Sequence, residues 1–338
     1  MERLCAVHPN AVWHMRLSYI LATNEGRFLI GHHKHASRYE AWLRHHQTTT
    51  PQMLTPVLLS LSTEPQTLST VAKKYLVDMP VVLIVGATRG LGASLVKSYA
   101  NQPTNQILAT ARASSPPKDA DNIAYIPNID ISSPEASKTL LDYLNAHSIR
   151  HIDIVIVTAG YFATESLKEP SFEAQEKMYK TCVIGPTILV TALANHSPGL
   201  LNSSSKVILV SSESGSITLR HESEGGGNYG HHASKTALNM SVKLLSLDLK
   251  DRGVAVVAVH PGFMRTEMTK NVGFDKFWDD GGAVTPDVAA KSLAEWIGTF
   301  DISKTGQYWA PRGAADIGTA EPILGPKEKL PVPLQLPW

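Results

Sequence analysis

Val81-Val82-Leu83-Ile84-Val85-Gly86-Ala87-Thr88-Arg89-Gly90-Leu91-Gly92 is the stretch that decides the fold. Its apolar, mostly β-branched opening reads as a buried parallel strand. Gly86, Gly90 and Gly92 follow, and Ala93-Ser94-Leu95-Val96 carries a helix. A strand, a glycine-rich turn and a helix N-terminus together form a phosphate site. Backbone N–H groups point outward, the helix dipole favours an anion, and glycine admits a pyrophosphate. The spacing is G-x-x-x-G-x-G rather than the dinucleotide fingerprint G-x-G-x-x-G. The plain alternative is a structural strand-to-helix turn.

Outward from this stretch, strands and helices alternate. Strands are predicted over 106–111, 122–126 (ending near Asp130), 152–157, 206–210, 254–259 and 306–309. Helices are predicted over 134–147, with Pro134 after the N-cap candidate Ser133, and over 171–196, 229–251 and 286–299. Gly253 stands where the third of these ends. Such alternation implies a doubly wound, Rossmann-type α/β fold, its parallel sheet covered on both faces. The proline-rich tail from Pro322 is expected to wrap the surface.

Residues 1–78 differ from the rest. His8, His14, His32, His33, His35, His45 and His46 are half of the chain's 14 histidines. Thr48-Thr49-Thr50-Pro51 and Ser62-Thr63-Glu64-Pro65 break the chain without helical or strand periodicity. A poorly ordered, dispensable N-terminal extension is expected there. His32-His33-Lys34-His35 lacks a second ligand cluster, so no metal site is assigned. From Met79 to Trp338 the chain has the size of one doubly wound domain.

The sequence has 338 residues, 43% of them hydrophobic and 18% charged, with a formal net charge of +1. That balance gives no reason to expect nucleic acid or an acidic membrane surface. Cys5 and Cys182 are the only cysteines, which fits a reducing, cytoplasmic setting without a disulfide framework. Apolar runs are strand-length, short of a membrane span, and no basic start precedes an apolar block as in a secretory signal.

Several segments in order resemble the short-chain dehydrogenase/reductase family, especially its small carbonyl-reductase-like members, from about residue 80 onward. Gly86, Gly90 and Gly92 match the family's cofactor glycines, with Arg89 and Leu91 between them. Thr158-Ala159-Gly160 matches its Asn-Ala-Gly, and Ser211-Ser212-Glu213-Ser214-Gly215 its serine segment, with Ser212 in the catalytic register. Ser234-Lys235-Thr236-Ala237-Leu238-Asn239 matches the active-site helix, and Pro261-Gly262-Phe263-Met264-Arg265-Thr266 the turn that holds the nicotinamide.

The resemblance implies a nicotinamide cofactor, bound by Gly86, Arg89, Gly90, Leu91, Gly92, Thr158, Gly160, Lys235, Pro261, Gly262, Met264 and Thr266. Its choice is argued physically. A carboxylate ending the second strand would bind the ribose hydroxyls of NAD and repel a 2′-phosphate. That strand ends Ala109-Thr110-Ala111-Arg112, with no acid. Arg112 is a fixed cation able to pair with a phosphate, which favours NADP(H). A solvated surface arginine is the alternative. Asp130 looks like the family's adenine-contacting aspartate, or a cap for the following turn.

The departures concern proton transfer. The family places a tyrosine four residues before the lysine, on the same helix face; here that position is His231. Tyr229 lies on another face. The family's helix asparagine falls on Cys182, a poor proton relay, and Val85 replaces a threonine beside the first glycine. An imidazole is a competent acid or base, and the Lys235 ammonium should keep it neutral. The alternative is a histidine that fills the tyrosine's space.

Ser212, His231 and Lys235 are therefore the catalytic candidates of an NADP(H)-dependent reductase acting on a small-molecule ketone or aldehyde. Tyr161, Phe274, Phe277 and Trp278 suggest a bulky apolar or aromatic substrate, of the kind met in secondary metabolism. A non-redox cyclase, isomerase or dehydratase, and an inactive cofactor-binding protein, stay open. By analogy with the family, a homodimer would form through the two long helices, 171–196 and 229–251.

Overall fold

The structure is a computed structural model that describes residues 79–196 and 199–338, together with strands at 17–22 and 28–33. The chain divides into two units, Met1–Thr70 and Val71–Trp338. In the first, β1 (Leu17–Ala22) and β2 (Phe28–His33) pair antiparallel, Leu17 opposite His33. No strand was expected there. The rest of the expected poorly ordered extension lies outside the described residues, as do Lys34 and His35 of the histidine run.

The second unit is built on an eight-stranded sheet of β3 (Val81–Val85), β4 (Gln106–Thr110), β5 (Ile123–Ile126), β6 (Ile154–Val157), β7 (Lys206–Val210), β8 (Ala255–Val259), β9 (Tyr308–Ala310) and β10 (Leu334–Gln335). Their order is β10-β9-β8-β7-β6-β3-β4-β5, all parallel except the β9–β10 pair. The tail thus adds an edge strand, where only a surface wrap was expected; Leu334 and Leu336 are buried.

Side chains alternate across the sheet. Leu83, Val85, Leu108, Val155 and Val207 pack on one face; Val82, Ile84, Ile107, Ile156 and Ile208 pack on the other. The first face is covered by α2 (Ala136–Ala146), α4 (Gly185–Asn195) and α5 (Tyr229–Asp248). The second is covered by α1 (Gly90–Ala100) and α7 (Pro286–Thr299). Two short helices, α6 (Glu267–Asn271) and α8 (Ala320–Leu324), were not anticipated.

The helix predicted over 171–196 is interrupted. It consists of α3 (Phe172–Tyr179), a π-helical turn at Lys180–Ile184, and α4. Such turns recur at functional sites. A Cβ at Gly185 would lie 1.9 Å from the Ile131 oxygen, so this glycine lets the helix press against the β5–α2 connection. The helix predicted over 229–251 ends at Asp248 and passes through a 3-10 turn to Gly253, whose φ is +72°.

β3 lies between β4 and β6, and the chain winds away from it in both directions. A crevice outside the carboxyl ends of these strands is where such sheets bind ligands.

Candidate active site

The glycine turn begins at the carboxyl end of β3. Gly86 has φ +88°, and a Cβ there would lie 2.7 Å from the Ala159 nitrogen. A Cβ at Gly92 would lie 2.1 Å from the Gly86 oxygen. These two glycines are demanded by the packing of the turn itself. Gly90 is different: its nearest neighbour would be Thr266 Cγ2 at 3.7 Å, which leaves its face open. Thr110 Oγ1 accepts the Gly86 N–H at 3.0 Å, and Thr158 Oγ1 lies within donating distance of the Val85 and Gly86 oxygens, 3.0 and 3.1 Å. The Thr158 hydroxyl therefore braces the turn rather than pointing free. Arg89 precedes α1 without capping it, and no acid occupies the first turn, so the helix N-terminus keeps donors for an anion.

At the end of β4, Arg112 is exposed and makes no hydrogen bond or ion pair among the described residues. Asp130 accepts the Ser132 N–H at 3.0 Å and its hydroxyl at 2.7 Å, and so caps the following turn. Burial pushes the Asp130 carboxyl up, but Ser132, Arg112 and Lys177 outweigh it and hold it below its ordinary value.

The serine segment leaves β7 and is clamped to α5. A Cβ at Gly215 would lie 2.8 Å from Lys235 Cβ, and the Gly215 oxygen accepts from Thr236 Oγ1 (2.9 Å) and Asn239 Nδ2 (3.1 Å). This close approach sets the serine segment against Lys235, with Ser211 Oγ donating to the Lys235 oxygen at 3.4 Å. Ser212 Oγ lies 2.6 Å from Ser214 Oγ, and the Ser212 carbonyl accepts the Tyr308 hydroxyl. Lys235 is buried and donates to the Val210 oxygen at 2.8 Å. The His231 ring packs at a tilt against Phe162, and its Nδ1 is buried without a hydrogen-bond partner among the described residues. Burial, then the charges of Lys235, His232 and Arg220, lower its pKa to about 3. The neutrality expected from Lys235 holds, with burial as the larger cause.

The start of α5 depends on a residue not singled out in the sequence. Asn228 has φ +48°, and the helix has neither an N-cap side chain nor an acid in its first turn. Glu165, buried in a distant loop, supplies the charge: Oε2 accepts the Gly230 N–H at 2.8 Å, and Oε1 accepts from Ser171 N (3.1 Å) and Gln175 Nε2 (2.9 Å).

Every candidate residue borders one cleft of about 1300 Å³: Gly86, Arg89, Gly90, Leu91, Gly92, Arg112, Asp130, Thr158, Gly160, Ser212, His231, Lys235, Pro261, Gly262, Met264 and Thr266. Tyr161, Phe274 and Phe277 line it too, joined by Phe162 and Phe263. Trp278 does not; it donates to Thr269 Oγ1 at 3.2 Å and packs under Arg265. Tyr229, placed on another helix face by spacing, nevertheless borders the cleft because it is the first residue of α5. The Thr266 hydroxyl is engaged in capping α6. Among the described residues, no cluster of His, Cys, Asp or Glu could hold a metal, and no helix is long and apolar enough to cross a membrane.

The sequence profile described as short chain dehydrogenase matches residues 80–276. The chain belongs to the short-chain dehydrogenase family. The short chain dehydrogenase gsfK of Penicillium aethiopicum is 32% identical over 246 residues, covering 67% of this chain and 94% of its own. Among solved structures, the carbonyl reductase Sniffer of D. melanogaster has a TM-score of 0.58 at 22% identity, covering 77% of this chain and all of its own. A short-chain dehydrogenase/reductase from Burkholderia multivorans with bound NADP has a TM-score of 0.55 at 25% identity, covering 69% and 96%.

For this short-chain dehydrogenase, motif reading missed the residues that act through others. Thr110, Glu165, His260 and Asp316 hold the glycine turn, the start of α5 and the 261–266 turn. His260, next to Pro261, was within reach of the motif; the other three carry no local signal. Cys182 lies in the π-helical turn, buried behind Gly160, with its Sγ 3.5 Å from the Tyr161 oxygen.

Proposed function

We propose that this chain is a cytoplasmic NADP(H)-dependent oxidoreductase that reduces the carbonyl of a bulky, largely apolar ketone or aldehyde of secondary metabolism. The observation that carries this reading is the convergence of the glycine turn, Arg112, Ser212, His231, Lys235 and Pro261–Gly262 on one cleft. The cleft fits the cofactor: the open face of Gly90, the uncapped start of α1, and the exposed Arg112 at a strand end without an acid suit a pyrophosphate and a 2′-phosphate. The NADP-bound relative from Burkholderia supports the same choice.

When bound, the nicotinamide would supply the hydride. Ser212 and His231 would hold the carbonyl oxygen, where negative charge develops. With Nδ1 enclosed, only Nε2 of His231 is available to a substrate. A neutral imidazole polarises a carbonyl by hydrogen bonding and gives up its proton reluctantly. His231 thus acts as an electrostatic partner, and the proton that completes the alcohol comes from solvent in the cleft. Lys235 would orient the ribose. Phe162, Phe274 and Phe277 form an apolar wall beside His231, suited to a ring-bearing substrate.

The same imidazole favours a second reading in its other neutral tautomer: with the proton on the enclosed Nδ1, a bare Nε2 is a base for a cyclase, isomerase or dehydratase. Oxidation of NADPH over a panel of aryl and alicyclic ketones separates the two. Turnover supports the reductase; NADPH binding without oxidation by any carbonyl supports the non-redox enzyme or an inactive binding protein. We also place a homodimer on the two long helices. Ile184, Ile188, Met240, Leu244 and Leu247 are each more than half exposed there, an apolar surface that a second copy would cover. Light scattering of the purified protein tests this: a monomer removes the interface.

A further inference from the structure

Glu213 follows Ser212, and its N–H donates to Nδ1 of His260 at 3.0 Å. That bond needs a bare nitrogen at Nδ1, so the neutral ring carries its proton on Nε2. Nε2 is buried 3.8 Å from Oδ1 of Asp316, beyond direct hydrogen-bond length. Oδ2 of the same carboxylate accepts the N–H of Phe263, the residue after Gly262. Burial pushes the Asp316 carboxyl up, but His260, the Phe263 N–H and Arg312 outweigh it and hold it below the usual range.

This group is enclosed. The His260 and Asp316 side chains are 7% and 1% exposed. His260 Nε2, Asp316 Oδ1 and Arg312 Nε are buried without a hydrogen-bond partner among the described residues. A Cβ at Gly262 would lie 2.8 Å from Asp316 Oδ2 and 3.2 Å from Arg312 Nε, so the group packs against the bare side of that glycine.

The sheet does not need these side-chain contacts. Its register is already set there by backbone bonds, Ser211 N–H to the Val259 oxygen (2.7 Å) and His260 N–H to the Trp309 oxygen (2.8 Å). The side chains extend the restraint beyond the strands, to the two segments that leave the adjacent strands β7 and β8 and border the cleft. We propose that His260 and Asp316 are positioning residues that lock the Pro261–Gly262 turn to the serine segment, keeping one spacing between the nicotinamide and the group that holds the substrate oxygen.

The proposal rests on the reductase reading and is tested by a pair of variants. In His260→Asn the side-chain carbonyl can accept the Glu213 N–H in place of Nδ1; in His260→Leu nothing can. His260→Leu should lower kcat about tenfold to a hundredfold, as expected for a small misplacement of reacting groups, with a smaller change in substrate KM. His260→Asn should recover most of that loss. Equal kcat in wild type and His260→Leu, or equal losses in the two variants, overturns the proposal.

Two readouts do not need turnover. Nitrogen NMR of the histidine rings should show His260 with Nδ1 bare and Nε2 protonated; a protonated Nδ1 overturns the lock, whatever the variants do. The NADPH dissociation constant should rise in His260→Leu and return toward wild type in His260→Asn. If wild type binds NADPH but reduces no carbonyl, the reductase reading fails while binding and NMR still decide the lock.

Discussion

The imidazole of His231 packs 4.1 Å, centroid to centroid, from the ring of Phe162, tilted by 33°. The His232 ring meets it edge-on at 5.4 Å. Enclosure of this kind, aided by Lys235, His232 and Arg220, depresses its pKa from 6.5 to about 3. The unfolded chain therefore binds a proton that the folded chain refuses. Stability from this group is fully present above pH 6.5 and is lost as pH falls towards about 3. Thermal melts across that window should show the loss, and His231→Phe should flatten it. An identical acid slope in wild type and variant would remove this imidazole from the balance.

His231 is also expected to matter for turnover. Loss of one hydrogen-bond donor to a developing oxyanion costs about a hundredfold or more in kcat. His231→Ala should therefore abolish measurable NADPH oxidation, whereas His231→Tyr should retain or raise it. Steady-state kinetics with a responsive ketone check both. Wild-type rates in His231→Ala would take the histidine out of the mechanism.

The glycines of the turn should separate by role. Gly92→Ala forces a Cβ within 2.1 Å of the Gly86 oxygen and should unfold the turn or the domain. Gly90→Ala has space but keeps φ at +53°, costing about 1 kcal/mol. Denaturant melts should rank Gly92→Ala far below Gly90→Ala, and the reverse order would contradict the packing described for the turn.

Arg112→Ala should weaken NADPH about tenfold to a hundredfold, the value of hydrogen bonds to a charged group, and leave NADH nearly unchanged. Dissociation constants for both cofactors measure this. Parallel losses for NADPH and NADH would point to a general defect rather than to 2′-phosphate recognition.

Glu165 anchors the helix that carries His231 and Lys235. Burial raises its carboxyl, but the Ser171 N–H, the Gln175 amide and the Gly230 N–H outweigh that and lower its pKa. Its contribution is present above the ordinary value of 4.5 and is lost as pH falls through the lowered one. Glu165→Ala leaves three donors unpaired and should destabilise the protein by about 2–3 kcal/mol, read from the denaturation midpoint. A neutral result would mean that water replaces the carboxylate at the start of α5.

Much of this molecule is written in local pattern. The run Val81–Val85 announces a strand buried on both faces, and the structure splits it between two cores, Leu83 and Val85 on one side, Val82 and Ile84 on the other. The glycine spacing, the serine segment, Lys235 and Pro261–Gly262 are each readable from neighbours in the chain, because a backbone turn or helix face depends on residues a few positions apart. That they border one cleft follows from the doubly wound order, in which the strands deliver their carboxyl ends to one side.

Tertiary structure alone decided the rest. The π-helical turn at Lys180–Ile184 and the edge strand Leu334–Gln335 depend on what packs beside them. Glu165 reaches Gly230 across 65 positions, and Asp316 reaches Phe263 across 53. Periodicity encodes which face of an element is buried, but it carries no address for a distant carboxylate. Which buried donor that carboxylate meets is settled only when desolvation forces every enclosed polar group to find a partner in the folded chain.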